Sequence, residues 1–570
     1  MINRFTVLPL SMMTRTLDAV AAGQLLPDLV IVGGRIFSMY SERIIEGQEI
    51  WIKDGRIAAL KPAGSYLPLP GDRTLRYDAR GGMIAPGLVD PQVNLASSLM
   101  SACAYAEAAL LNGTTTILVD CEEVAAVCEG RNFRWFLADA RRASLSVYAK
   151  VPVRMFAREY RAAAAEEMAK VFHEWPEVRA QAEVADYISP VAAGVDDMTE
   201  DRARGRGDDA LEAGQWVFLR CEPSEEGAQR LARQLGGVAE LSACAKRLCL
   251  CTDQRDANEL SAFGLDWMVR QAVAAGVPPA TAWSLASLNP AMRFALDGEV
   301  GGLGPTRRAD LVMLNDALEV QNTWYGGVLV VENKKITSVL DRALSKPYHY
   351  PKEVAGTVRI PRTLKLVPEL PVTEVVAKVI GVGAPSAGLE SRRVVLPVAR
   401  SWGGLLTAHR LCFVSSVRFG SKAEAGVAYG LLQDFGLVEG AVAGTVSAEA
   451  PGAWVVGVDE ADMKVALAAV KKLMGGVCVV RGGAVVAELP LPNGGVLSAL
   501  RGPDAAKQLG ALKRAWAELG CTLSLADFCR LASGGLRGIS LTPRGLLLVP
   551  EGRIAPLFEV EAGATLLPQA

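Results

Sequence analysis

Histidine is almost missing from this chain: 570 residues hold three, His173, His349 and His409. Imidazole is the commonest metal ligand and the side chain that titrates nearest neutral pH. Any centre built on several histidines would therefore need these distant three brought together. Paired cysteines are missing too. The eleven cysteines stand apart, with no Cys-x-x-Cys anywhere, which excludes zinc ribbons and dithiol redox motifs. Their odd number, and their place in apolar runs such as Leu248-Cys249-Leu250-Cys251, reads as reduced, buried thiols. Neither sign of charge is in excess: 60 basic and 62 acidic residues give a net −2. This excludes a basic footprint for nucleic acid or anionic lipid. No stretch of ~18 uninterrupted apolar residues appears, so no spanning helix is expected. Phe5 to Met13 is broken by Thr6, Pro9 and Ser11 behind a single Arg4, a poor secretory signal. The phosphate loop G-x-x-x-x-G-K-[ST] and the nucleophile elbow G-x-S-x-G are also lacking. A soluble, cytoplasmic-type protein is the expectation.

What is present suits large packed cores. Half the residues are hydrophobic and 21% are charged. At ~100–200 residues per domain this length predicts about three domains, fewer if one is an α/β barrel. Leu29 to Val32 and Glu49 to Ile52 read as strands, and Lys53-Asp54-Gly55-Arg56 as a hairpin turn, since Asp-Gly accepts the positive φ such turns need. From Met83 on, strand-like runs alternate with helical stretches: Thr115 to Val119, Val147 to Val151, Trp216 to Leu219, Leu248 to Cys251. Such alternation predicts βα units on a parallel sheet. Residues 163–212 are polar and read as a solvated helix or loop. Strands return at Ala309 to Leu314, Gly327 to Val331 and Ile336 to Val339. Beyond 365, a helix opens at Asp459 and Asp462 with Met463, Ala466, Leu467 and Val470 inward. A hairpin across Gly482-Gly483 follows, then a helix from Pro503 to Gly520 burying Leu509, Leu512, Trp516 and Leu519.

Met83-Ile84-Ala85-Pro86-Gly87-Leu88-Val89-Asp90-Pro91-Gln92-Val93-Asn94 resembles the opening barrel strand of metal-dependent amidohydrolases, roughly PGxxDxHxH. Two histidines one residue apart on a strand project to one side and meet one metal. Here those places hold Gln92 and Asn94. Asn112-Gly113-Thr114-Thr115-Thr116 with Asp120-Cys121-Glu122-Glu123, then Cys251-Thr252-Asp253-Gln254-Arg255, Ser287-Leu288-Asn289-Pro290-Ala291 and Ala309-Asp310-Leu311-Val312, narrow the likeness to the adenine deaminase family. The third region is similar as well, through Phe435-Gly436-Leu437, Val455-Val456-Gly457, Asp459-Glu460-Ala461-Asp462-Met463 and Leu489-Pro490-Leu491-Pro492. The likeness spans most of the chain and is interrupted over about 160–212, where the family's barrel glutamate is not placed.

The resemblance implies an α/β fold: a distorted (β/α) TIM-like barrel over residues 83–300, and a composite β-sandwich from residues 1–82 and 301–362. An α+β domain of the adenine deaminase type follows over 363–570. It implies hydrolysis of adenine to hypoxanthine and ammonia, run by water on Mn²⁺ or another divalent metal, whose role is to lower the pKa of that water towards ~7. The zinc nucleobase-deaminase pattern H-x-E…P-C-x-x-C is absent, so that unrelated route to deamination is closed. Asp253 falls at the place of a catalytic acid. Five ligand places hold other residues: Gln92, Asn94, Glu122, Ala448 and Pro451. Asp90, Asp120, Glu123 and Arg255 are the expected neighbours of the site. Oxygen donors would suit Mg²⁺, Ca²⁺ or Mn²⁺ better than Zn²⁺, yet two neutral amides are weak ligands. Plain structural roles also fit: Glu122 and Glu123 as first-turn acids of a helix, Asp253 paired with Arg255 or a barrel lysine. Three readings stay open, namely a family enzyme with an altered oxygen-ligand site, a silent paralogue serving as a binding or regulatory subunit, and an enzyme repurposed to another substrate. In the silent reading no metal need bind. A small purine is the expected ligand if the pocket is retained, with self-association or an active homologue as protein partner.

Overall fold

The computed structural model describes residues 5–68, 70–121, 124, 133–150, 216–235, 245–346, 348–351, 361, 364, 372–383, 389–398, 403–418, 427–446, 452–532, 539–542, 545–548 and 553–560. The chain divides into two compact units. One comprises residues 1–98, 102–121 and 137–348; the other comprises 99–101, 122–136 and 349–570. The architecture is mixed α/β.

In the first unit, Gln48–Lys53 and Arg56–Pro62 form the hairpin the sequence calls for. Asp54 (φ 47°) and Gly55 (φ 79°) both sit in the left-handed region at its turn. That pair of positive φ values matches the right-handed twist of the flanking strands. The hairpin joins Leu29–Val32 and Leu75–Asp78 in a four-stranded sheet. A seven-stranded sheet runs Lys335–Ile336, Val328–Glu332, Val320–Tyr325, Leu311–Leu314, Met83–Pro86, Arg35–Ser38, Arg43–Ile45. Met83–Pro86 thus joins strands of residues 35–45 to those of residues 311–336 in one sheet, Leu311 pairing with Pro86 and Leu314 with Met83. Ile31, Ile50, Ile52 and Ile57 of the smaller sheet lie in one apolar cluster with Ile36, Ile84, Leu311 and Trp324 of the larger.

Parallel strands occupy the rest of this unit. Leu88–Asn94, Thr114–Asp120 and Ser146–Ala149 pair in parallel, and Val217–Leu219 pairs in parallel with Leu248–Leu250. A parallel bridge between Val93 and Asp253 brings the two sets together. The helices Ala102–Leu111, Phe133–Arg142 and Glu225–Leu235 fall between them, and Ala257–Ala262 and Leu265–Ala274 follow the last strand. Ala257–Ala262 opens on a capping box: Asp256 accepts from the amides of Asn258 and Glu259, while Glu259 accepts from the Asp256 amide.

The expected strand over Ile336 to Val339 is corrected. Pairing stops at Ile336, and Ser338–Leu344 is helical, burying Leu340 and Leu344 one turn apart. Ile336, Thr337 and Val339 suggest a strand, but the i, i+4 apolar pair settles the choice for helix.

In the second unit a large mixed sheet is covered by the helix Glu460–Lys472. Met463, Ala466, Leu467 and Val470 pack on Ala441, Ala443, Val455, Cys478 and Val480. The Asp459 carboxylate caps this helix through the Ala461 amide at 2.8 Å. The hairpin Gly476–Arg481 and Ala484–Pro490 turns at Gly482 and Gly483, both with positive φ. Gly502–Glu518 buries Leu509, Leu512 and Trp516, as their spacing predicts.

Candidate functional site

The parallel strands of the first unit end together, and parallel α/β sheets place their chemistry at those carboxyl ends. Gln92 and Asn94 lie at the end of Leu88–Asn94, and Asp120 stands in register with Asn94. Lys150 follows Ser146–Ala149, Arg220 follows Val217–Leu219, and Thr252-Asp253 follows Leu248–Leu250. The Asp253 amide donates to Gln92 O at 2.8 Å, and the Asn94 amide to Asp253 O at 3.0 Å. Three of the positions picked out in the sequence, Gln92, Asn94 and Asp253, are therefore backbone neighbours. Glu122, Glu123, Ala448 and Pro451 lie outside the described residues, as does His173. His349 is exposed and belongs to the second unit, like His409, which follows the helix Gly403–Ala408.

What these side chains touch is more telling than where they stand. The Lys150 ammonium donates to Gln92 Oε1. Asn94 Oδ1 accepts the Ser97 amide at 2.8 Å, the bond of a residue capping the short helix Leu95–Ser98. Arg220 Nη1 donates to Asp253 Oδ2 at 2.9 Å, and Arg220 Nε lies 3.7 Å from Glu222 Oε1. The pairing of Asp253 with Arg255 is corrected. Asp253 adopts φ 51°, so the alternation that would put residues 253 and 255 on one side is broken. Arg255 instead donates to Cys221 O and lies with its guanidinium 5.3 Å from the Trp267 ring centre.

Beneath this layer Asp90 is buried. Thr252 Oγ1 donates to its Oδ2 at 2.5 Å, and the amides of Thr252 and Gln92 both approach Oδ1 at 3.3 Å. Burial pushes its carboxyl up to about 7, against the hydrogen bonds from Thr252 and Gln92 and the nearby Lys150 charge. Tyr105 Oη lies 3.5 Å from Thr252 Oγ1. Burial works against the Arg220 charge, but Asp253 and Glu222 outweigh it and raise its pKa. Burial lowers that of Arg255, with Glu259 opposing.

Lys150, Arg220 and Thr252 are the site residues that sequence reasoning passed over. Thr252 stood inside a quoted motif without a role. Lys150 and Arg220 each follow an apolar strand directly, which is the available signal. Their partners lie 58 and 33 residues away, a distance no local pattern encodes.

A divalent ion does not fit the described donors. Gln92 Oε1 and Asp253 Oδ2 already face cations of the chain itself, and Asn94 Oδ1 is engaged as a cap. No group of three or more His, Cys, Asp or Glu converges among the described residues. At an effective dielectric of ~20, a divalent ion about 4 Å from one fixed ammonium meets repulsion on the order of 8 kcal/mol.

Across its whole length the chain is 44% identical to Adenine deaminase 2 of Bradyrhizobium sp. (strain ORS 278), covering 98% of this chain and 100% of that one. The chain belongs to the adenine deaminase family. Adenine deaminase 3 of Rhizobium johnstonii is 45% identical over 98% of this chain and 99% of its own length. An adenine deaminase of Clostridium botulinum (strain ATCC 19397 / Type A) is 26% identical over 98% of this chain. Residues 393–552 match the adenine deaminase C-terminal domain. Among solved structures, a β-aspartyl dipeptidase of Fervidobacterium islandicum superposes with a TM-score of 0.38 at 14% identity, covering 54% of this chain and 98% of that one. A zinc-bound adenosine deaminase of Xanthomonas campestris gives 0.33 at 14% identity, covering 56% and 98%. Superpositions this loose decide neither fold nor chemistry. No helix among the described residues is long and apolar enough to cross a membrane.

Proposed function

We propose that this chain is a catalytically silent member of the adenine deaminase family, a cytoplasmic purine-binding or regulatory subunit without the family's metal-run hydrolysis. The observation that carries this reading is the Arg220–Asp253 ion pair. The acid at the catalytic place is engaged by a guanidinium, so its Oδ2 could pass a proton only by leaving that partner. The amides at two ligand places support it, since neither Gln92 nor Asn94 offers a nitrogen donor, and both are committed within the chain. The same contacts weigh against an oxygen-ligand metal enzyme. Parallel strands joined through the Val93–Asp253 bridge support a distorted barrel as the scaffold, with the composite sandwich in the same unit and the C-terminal domain following in sequence.

The test is ammonia release from adenine by the full chain, with and without added Mn²⁺, beside one of the relatives 44% identical to it. The reading expects no ammonia above the protein-free control. Ammonia formed in step with hypoxanthine over many turnovers sinks it. Calorimetry with adenine then asks whether a purine pocket survives.

A further inference from the structure

Lys150 crosses from the end of the Ser146–Ala149 strand to Gln92 at the end of Leu88–Asn94, where its ammonium donates to the amide oxygen. It also lies 5.6 Å from the ring centre of Phe218 and 5.8 Å from that of Phe294. The two rings stack at 6.2 Å and 27°, and both are buried, at 7% and 3% exposure. An amide oxygen beside two buried π faces is a receptor for a cation. A second fixed cation, Arg220, holds Asp253, whose backbone is bonded to that of Gln92. We propose that the Lys150 ammonium is the resident cation of these strand ends, tethered to the chain, and that it closes the site to divalent metals. A metal ion could take Gln92 Oε1 only by displacing an ammonium that cannot leave the neighbourhood. The mutual repulsion would persist after displacement.

The inference concerns the same strand ends as the silent reading, and the two fail separately. Mn²⁺ is titrated by calorimetry and by its electron paramagnetic resonance signal into chelator-treated full-length protein. The samples are wild type, Asp253→Asn, Lys150→Arg, Lys150→Glu, and Lys150→Glu with Asp253→Asn. Wild type and Lys150→Arg are expected to show no uptake that Asp253→Asn removes. Lys150→Glu, which adds a carboxylate and deletes the cation, is expected to bind Mn²⁺ at least about tenfold more tightly, a gain lost in the double variant. One equivalent of Mn²⁺ in wild type that Asp253→Asn abolishes overturns the inference, as does a folded Lys150→Glu that gains nothing. Should Lys150→Glu not fold, the wild-type and Asp253→Asn titrations decide alone. Metal uptake without ammonia release would refute this inference and leave the silent reading standing; ammonia release without metal would do the reverse.

Discussion

Removing the guanidinium from Asp253 should cost more than removing the carboxylate from Arg220. Asp253 has a side chain 10% exposed, whereas that of Arg220 is 26% exposed. After Asp253→Asn, Arg220 still has Glu222, whose Oε1 lies 3.7 Å from its Nε, and it has some access to water. After Arg220→Gln, an acid buried at a left-handed turn is left without its guanidinium. Breaking a fully buried pair from one side costs about 3–5 kcal/mol. Discounting for the partial exposure of Arg220, Arg220→Gln should cost about 2–3 kcal/mol and Asp253→Asn about 1 kcal/mol. The double variant should cost less than the sum, with a coupling of about 1–2 kcal/mol. Urea unfolding followed by tryptophan fluorescence measures this. At an m-value of about 2–3 kcal/mol/M, Arg220→Gln shifts the midpoint down by about 1 M. Additive single effects, or a larger cost for Asp253→Asn, would show that the pair does not hold Asp253. The case for a silent acid would then lose its support.

Three other outcomes follow from the first unit. Asp139 is buried and accepts the amides of Ala102 and Cys103 at 2.9 and 3.3 Å, yet burial raises its carboxyl to about 6. A raised acid contributes stability fully present below its unfolded pKa of ~3.9 and lost as pH rises through its folded value, about 3 kcal/mol for a shift of ~2 units. Unfolding free energies at pH 4 and pH 7 should therefore diverge by roughly that amount more in wild type than in Asp139→Asn; equal divergence would refute the burial argument. Gly87→Ala would put its Cβ 2.4 Å from Thr115 Oγ1 and 2.7 Å from Cγ2. It should cost about 1–3 kcal/mol by overpacking, read as a lower melting temperature. Asn94→Ala removes the cap on Leu95–Ser98 and should cost about 1 kcal/mol in urea unfolding, with Asn94→Asp restoring most of it; no loss would mean the amide has another task.

Elements governed by local rules were legible in the sequence. The Asp54-Gly55 hairpin needs only two residues that tolerate positive φ. The helix at Glu460–Lys472 declares itself by an acid at its start, bases at its end and an inward stripe. The parallel strands follow from apolar runs alternating with helical segments. At Ser338–Leu344 the β-branched neighbours mask the single i, i+4 apolar pair, Leu340 and Leu344. Of the candidate site, the sequence showed which strand ends to look at, and there the backbones of Gln92, Asn94 and Asp253 are bonded to one another. Their contacts were hidden for two reasons. Asp253 leaves the strand alternation at φ 51°, which sequence does not show, and so Arg255 or a barrel lysine is the expected partner there. The actual partners, Lys150 and Arg220, arrive from other strands, and their reach depends on strand order and on which carboxyl ends coincide.

In the proposed silent reading, the substitutions at the strand ends are coupled changes of role. Taking nitrogen donors from a metal-binding mouth leaves polar and acidic groups that the ion had neutralised, and buried carboxylates without a counter-charge are costly. Here Asp253 has a guanidinium, Gln92 an ammonium, Asn94 a helix to cap, and Asp90 the Thr252 hydroxyl with a carboxyl raised far enough to be half protonated near pH 7. At the two described ligand places, Gln92 and Asn94, the side chains are thus engaged by the chain's own groups. Restoring histidines at 92 and 94 alone should accordingly not restore metal chemistry. Lys150 and Arg220 would still supply two positive charges beside the ion, and Asp253 would still be engaged. Combining those histidines with Lys150→Glu, with and without Arg220→Gln, would show how much each cation opposes the metal.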